Sequence, residues 1–211
     1  MTVLDSLRLL QVIEYLQSDL YARALAVANF IPVADAEVFK ALSAQQTVHV
    51  TTLSSLITTR QGVPAVKPTF DFTGKGAVPG FAFAAGQYET FRMLSQAFED
   101  LGVRAYKGQV QAFQADKQAL TYVLAMHSVE GRHAAEVRRI RGRKGWITGS
   151  SKDDLPAFAQ AIYAGEDVTT QGSVNVGSAL SANGGVDAAT QAFDEPLTTA
   201  QVTAIITPFI A

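Results

Sequence analysis

Residues 61–82, QGVPAVKPTFDFTGKGAVPGFA, carry three prolines and four glycines between two long stretches of helical pattern. Proline removes a backbone donor and glycine relaxes the backbone, so this segment cannot continue either helix. Its length predicts a crossover and not a tight turn. The stretch before it, 4–60, holds two helical runs, and the stretch after it, 84–142, holds two more.

The first run, 4–30, lacks Pro and Gly and places apolar residues at Leu4, Leu7, Leu10, Ile13, Leu16, Leu20 and Leu25, the spacing of one helix face. FIPVADAE interrupts it, and Asp35 with Glu37 suits a new helix N-terminus. The second run spans about 36–60, the third about 84–113 and the fourth about 116–142. The RGRKG at 141–145 supplies the cations and glycine that a helix C-terminus favours.

An all-α, four-helix bundle over residues 1–143 with a long connection between helices 2 and 3 is therefore expected. Residues 144–211 read as a loop-rich C-terminal extension with short helices, packed on the bundle. Within it, DDLPAFAQAIYAG suits a short helix, and LTTAQVTAIITPFIA suits a last helix capped at Thr198 or Thr199. GSVNVGSALSANGG fits neither the phosphate-loop nor the dinucleotide fingerprint and reads as a flexible surface loop.

Composition narrows the function. Net charge is −2 with 17% charged residues, which argues against nucleic acid as a partner and for a neutral exterior prone to self-association. The absence of cysteine excludes thiolate metal sites, disulfides and cysteine nucleophiles. No apolar run reaches the roughly 18 residues of a membrane span, and the N-terminus reads as an amphipathic helix instead of a signal, so cytoplasmic is the default location. The basic cluster Arg138, Arg139, Arg141, Arg143 and Lys144 reads as a solvated helix end.

Three carboxylates and two histidines recur at suggestive positions. The fourth helix holds HSVEGRH, in which Glu130 and His133 lie about 60° apart around the helix and one turn apart along it. Alone this pair reads as a surface pair near a basic helix end more than as a metal edge. The first helix carries Glu14 with Tyr21 seven residues on, and the third carries Glu99 with Tyr106 at the same spacing, so each Tyr shares a face with its Glu. The second helix carries His49, with Gln46 three residues before it and no acidic residue from Val38 to Thr59. The alternation suggests a duplicated helical hairpin. Two bundle helices giving one Glu each, and two giving Glu-x-x-His, make the dimetal arrangement of ferritin-like bundles.

IEYLQSDLYARAL, QQTVHVTTL, FEDLGVRAYKGQ and HSVEGRHAAEVRR, with the near-terminal FDEPLTTAQVTAIITPFI, resemble the ferritin-like family that includes desiccation-related proteins of plants and bacteria. The resemblance implies that Glu14, His49, Glu99, Glu130 and His133 occupy metal-ligand positions, with Gln46 where a carboxylate belongs. It implies no particular reaction. Carboxylate and imidazole donors suit iron or manganese. Two divalent ions carry four positive charges, of which three carboxylates balance three, so Gln46 is expected to weaken dimetal binding or abolish one of its sites. The alternative is a metal-free structural, self-assembling or stress-protective protein on the same scaffold. His127 is expected to pack at a helix edge more than to serve as an outer hydrogen-bond partner. Tyr21 and Tyr106 are expected as core aromatics beside the glutamates, whether or not their hydroxyls bond them.

Overall fold

The computed structural model describes residues 2–211. Four long helices form the bundle: α1 (Val3–Ala26), α2 (Val33–Thr59), α3 (Tyr88–Gln109) and α4 (Lys117–Ile140). The Thr2 side chain and Asp5 start α1 with a reciprocal capping box, and Leu7, Leu10, Ile13, Leu16 and Leu20 are all fully buried along its inner face. Pro32 precedes α2 and fixes its start slightly before the expected one. Helix α4 is capped by Asp116, whose carboxylate accepts from Ala119 N at 3.0 Å and holds Arg60, just past the end of α2, through two bonds of 2.6 Å. That ion pair ties two helix ends together. The first and third helices are shorter than their patterns suggest, ending at Ala26 and starting at Tyr88. Gln87 explains the latter, because its side chain accepts from Ala82 and Ala84 N and closes the preceding turn.

Helix α2 is rich in threonine and serine and still helical. Thr47, Thr51, Ser54, Thr58 and Thr59 each donate a hydroxyl to the carbonyl four residues back, which satisfies them without solvent. Helix α2 packs chiefly on α1, and α4 chiefly on α3; the α2–α4 seam is the thinner contact. A cluster of Tyr21, Phe30, Phe39, Tyr88 and Phe91 fills one end of the core, with the Phe39 and Phe91 ring centroids 4.8 Å apart.

The crossover is well fastened. Phe70, Phe72, Val78 and Phe81 are buried, and Phe70 forms an antiparallel bridge with Ile210. Asp71 N donates to Phe209 O at 2.9 Å and Ala211 N to Thr69 O at 2.9 Å, so the C-terminal residues pair with the crossover. Gly74 takes φ +58 against the Phe209 ring, where a Cβ would lie 2.9 Å from a ring carbon.

Beyond α4 come α5 (Gln160–Tyr163), a hairpin of β1 (Thr170–Gln171) and β2 (Val174–Asn175), α6 (Val176–Ala179), α7 (Gly185–Ala192) and α8 (Thr199–Ile206). The stretch read as a flexible loop is thus a small hairpin followed by helical turns. The Thr198 side chain caps α8 in a box with Gln201. No described helix is long and apolar enough to cross a membrane.

Two buried arginines hold this C-terminal region to α3 and α4. Arg104 donates to Glu195 O at 2.7 Å, to Ala164 O at 3.0 Å and to Ile162 O, and pairs with the buried Glu166 at 2.5 Å. Arg138 donates to both oxygens of Asp100, at 3.1 and 2.6 Å, and to Trp146 O, while Tyr163 OH donates to the same Asp100 at 2.5 Å. Arg138 and Arg141 therefore overturn the solvated reading of the basic cluster. Arg138 is buried, and the Arg141 side chain is 1% exposed, bonded to Gln96 and Asp154. The cause is a run of acidic and carbonyl partners from α3 and the C-terminal region packing over the end of α4.

Candidate metal centre

All six residues singled out from the sequence meet in the bundle interior. Glu14, Gln46, Glu99 and Glu130 are fully buried, His133 is 3% exposed and His49 5%. This overturns the surface-pair reading of Glu130 and His133. Two sets of donors form around one shared carboxylate. Glu14, His49 and Glu130 present ligand atoms within 4.8 Å of one another, and so do Glu99, Glu130 and His133. Each set takes a Glu and a His from one helical hairpin, and Glu130 belongs to both.

Within the first set, His49 Nδ1 lies 3.2 Å from Glu14 Oε2 and 3.1 Å from Glu130 Oε1. Within the second, His133 Nδ1 lies 3.5 Å from Glu99 Oε2 and 3.3 Å from Glu130 Oε1. Those last approaches lack hydrogen-bonding angles, and His133 Nδ1 is left buried without a partner. A buried nitrogen aimed at two carboxylates and bonded to neither fits the donor set of a cation.

Gln46 divides the two sets. With its nitrogen toward the first, it donates to Glu14 Oε2 at 2.7 Å and Glu130 Oε1 at 3.3 Å, and to His49 Nδ1 at 3.0 Å when that nitrogen is unprotonated. Turned over, its nitrogen donates to Glu99 at 3.3 and 3.4 Å, and its carbonyl oxygen stands among Glu14, His49 and Glu130. The first orientation satisfies more acceptors while no cation is present. The second makes the carbonyl a fourth donor. Adjacent donors on an octahedral ion with bonds of about 2.1 Å lie about 3 Å apart, so this spacing fits a small divalent ion. The Glu99 set receives no fourth donor from Gln46.

The tyrosines cross over. Tyr21 OH donates to Glu99 Oε1 and Tyr106 OH to Glu14 Oε1, so each serves the carboxylate of the other hairpin instead of the Glu on its own helix. Two residues escaped the sequence reading. Gln17 Nε2 donates to Glu130 Oε2 at 2.9 Å and to Phe98 O at 3.0 Å, and lies one turn after Glu14. Gly102, one turn after Glu99, leaves the room Glu130 occupies: a Cβ there would stand 2.7 Å from Glu130 Oε2 and 2.9 Å from Gln17 Nε2. The i, i+3 spacing from each Glu was the available signal, although Gln and Gly have no ligand chemistry to draw attention. Gly102→Ala should cost about 1–3 kcal/mol in denaturant unfolding by overpacking, and should push Glu130 off both sets. Unchanged stability and unchanged Co²⁺ affinity would contradict that.

His127 is half-buried at the α3–α4 surface near Lys107 and bonds none of the carboxylates; burial, then the Lys107 charge, lowers its pKa. The edge-packing expectation matches this position.

Without metal the centre neutralises itself. Burial, then repulsion from Glu130, raises Glu14 and Glu99 to about 7, against opposing contacts from the histidines and tyrosines. Burial disfavours charge on His49 and His133, but contacts with Glu130 and the two other carboxylates outweigh it and raise both to about 10. Glu130 resists its own burial through the two imidazoliums and stays well below the usual carboxylate range. A histidine whose folded pKa is raised contributes stability fully present below its unfolded value near 6.5 and lost as pH rises through 10. Each retained proton gives a slope of about 1.4 kcal/mol per pH unit. The metal-free protein should therefore lose denaturant stability between about pH 7 and 9, and His49→Gln/His133→Gln should flatten the decline. An equally steep decline in that variant would refute the assignment.

A bundle of four helices presenting buried carboxylates and imidazoles from all four defines a class of helical protein built to hold charged groups, or ions, in its core. The chain belongs to the ferritin-like domain family, whose sequence profile matches residues 2–143. No curated protein matches the chain.

Proposed function

We propose that this chain is a ferritin-like metalloprotein that holds iron or manganese with Glu14, Gln46, His49, Glu99, Glu130 and His133. The observation that carries the reading is the pair of donor sets joined at Glu130, one with an orphaned imidazole nitrogen aimed inward. The oxygen-rich donor set with one imidazole per ion suits these metals over copper. When bound, such an ion supplies redox chemistry toward dioxygen or peroxide.

The residues of the chain divide the remaining tasks. Glu130 would serve both donor sets, and Gln17 fixes its second oxygen. Tyr21 and Tyr106 orient Glu99 and Glu14. Gln46, turned with its carbonyl toward the Glu14–His49 set and its amide hydrogens toward Glu99, would make that set the tighter of the two. Residues 144–211 act as an extension that braces α3 and α4, and their closing segment favours the desiccation-related branch of the family.

Titration of metal-free protein with Co²⁺ or Mn²⁺, followed by calorimetry and elemental analysis, tests the proposal. One tight equivalent is expected, and Gln46→Glu should bring a second by restoring the missing carboxylate. Less than a tenth of an equivalent in the wild type, with no gain in Gln46→Glu, would sink it.

One observation favours a second reading. The two imidazoliums are balanced without metal by Glu130 and the partly ionised Glu14 and Glu99, whose oxygens also accept from the tyrosine hydroxyls, as a purely structural core requires. On that reading the neutral exterior serves self-association. Light scattering that shows a metal-free assembly would support it.

A further inference from the structure

The six residues of the centre are sealed, so whatever reaches them needs a way through the wall. A cavity of about 420 Å³ lies in the thinner α2–α4 seam, and His133 is part of its lining. Val38 and Leu42 give it apolar walls, and Arg132 and Glu136 stand at its rim. A larger cavity, about 540 Å³ beside Lys107 and His127, touches none of the six.

The His133 ring separates this cavity from the centre. Its inner nitrogen, Nδ1, faces Glu99 and Glu130 and has no hydrogen-bond partner. Its outer nitrogen, Nε2, donates to Gln45 Oε1 at 2.7 Å. Gln45 is an exposed residue that itself lines the cavity, so the bond fixing the ring is made by a side chain free to swing into solvent. In the neutral ring that binds a metal, the same bond selects the tautomer that leaves Nδ1 open inward, the usual service of an outer partner to a metal-binding imidazole.

We infer that the α2–α4 cavity is the port through which hydrated divalent ions and small neutral molecules reach the buried centre, and that Gln45 is its latch, holding the His133 ring closed. The inference rests on the metal-centre reading for its cargo, and on geometry alone for its route. Breaking the Gln45 bond frees the ring to turn, which opens a path lined by Val38 and Leu42 down to Glu99 and Glu130. Filling the cavity closes the path without touching a donor.

Two measurements on the full chain test it. In stopped-flow mixing of metal-free protein with Co²⁺, Ala41→Trp, which fills the cavity from an exposed lining position that bonds no donor, should slow both uptake and chelator-driven release at least tenfold. Its equilibrium affinity should stay within about threefold of the wild type, a split that a merely structural defect would not produce. Gln111→Trp, in the larger cavity, should leave both rates unchanged. In metal-free protein, carbethoxylation followed by peptide mass spectrometry should show His133 reacting faster in Gln45→Ala and slower in Ala41→Trp, with His127 as the internal reference. Unchanged Co²⁺ rates and unchanged His133 reactivity in Ala41→Trp would overturn the port. Absence of Co²⁺ binding to the wild type would overturn the cargo, while the His133 reactivities would still decide the route.

Discussion

On the proposed metal-centre reading, Glu130→Ala is expected to abolish metal binding in both halves of the centre; on either reading it should lower the unfolding free energy by about 3–5 kcal/mol, the cost of breaking a buried ionic network at one member. Glu130 is the one residue common to both donor sets. Its Oε1 lies 3.1 Å from His49 Nδ1 and 3.3 Å from His133 Nδ1, and its Oε2 accepts from Gln17 at 2.9 Å. Alanine leaves two buried imidazoles without their shared anion and Gln17 without its main acceptor. Glu14→Ala should behave differently, removing a donor from the His49 half and leaving the His133 half complete. Calorimetric titration with Co²⁺ and urea unfolding separate the two variants. One full equivalent of metal retained by Glu130→Ala would show that the halves do not depend on a common carboxylate.

Arg104→Ala is expected to cost a comparable 3–5 kcal/mol by a different route. The guanidinium is 1% exposed and gathers Glu166 with the carbonyls of Ile162, Ala164 and Glu195. Glu166 in turn accepts from Glu195 N at 2.7 Å, and Leu197 N donates to Arg104 O at 3.1 Å. Removing the guanidinium leaves a buried carboxylate, already raised to about 7 by burial, without its cation. The segment 160–197 should then detach first. Limited proteolysis should cut there before it cuts α1–α4, and unfolding should broaden. A loss below about 1 kcal/mol, with no new cleavage, would show that Arg104 is only a packing residue.

Much of this molecule was legible in the sequence because it is encoded within single helices. The apolar spacing of Leu7, Leu10, Ile13, Leu16 and Leu20, the Pro- and Gly-rich 61–82 and the i, i+3 placement of Glu130 and His133 are local facts, and helical geometry turns local spacing into a face. Thr198 could be read as a cap for the same reason. Boundaries were harder, since Pro32 and the Gln87 turn trim or extend helices by contacts that periodicity does not register.

What needed the tertiary structure is what one helix contributes to another. Tyr21 shares a face with Glu14 yet bonds Glu99, because the neighbouring helix brings that carboxylate within reach of the hydroxyl. Gln17 and Gly102 matter only because α1 and α3 meet over Glu130. Arg138 and Arg141 looked solvated because a helix end is usually wet, and they are buried because the C-terminal region folds over them. The sequence by itself determined the four helices, the charges they carry inward and the missing carboxylate at Gln46. Only the docking of those helices decided which carboxylate is shared, which hydrogen bonds hold it and where the wall is thin, since these depend on distances between residues that no periodicity along the chain relates.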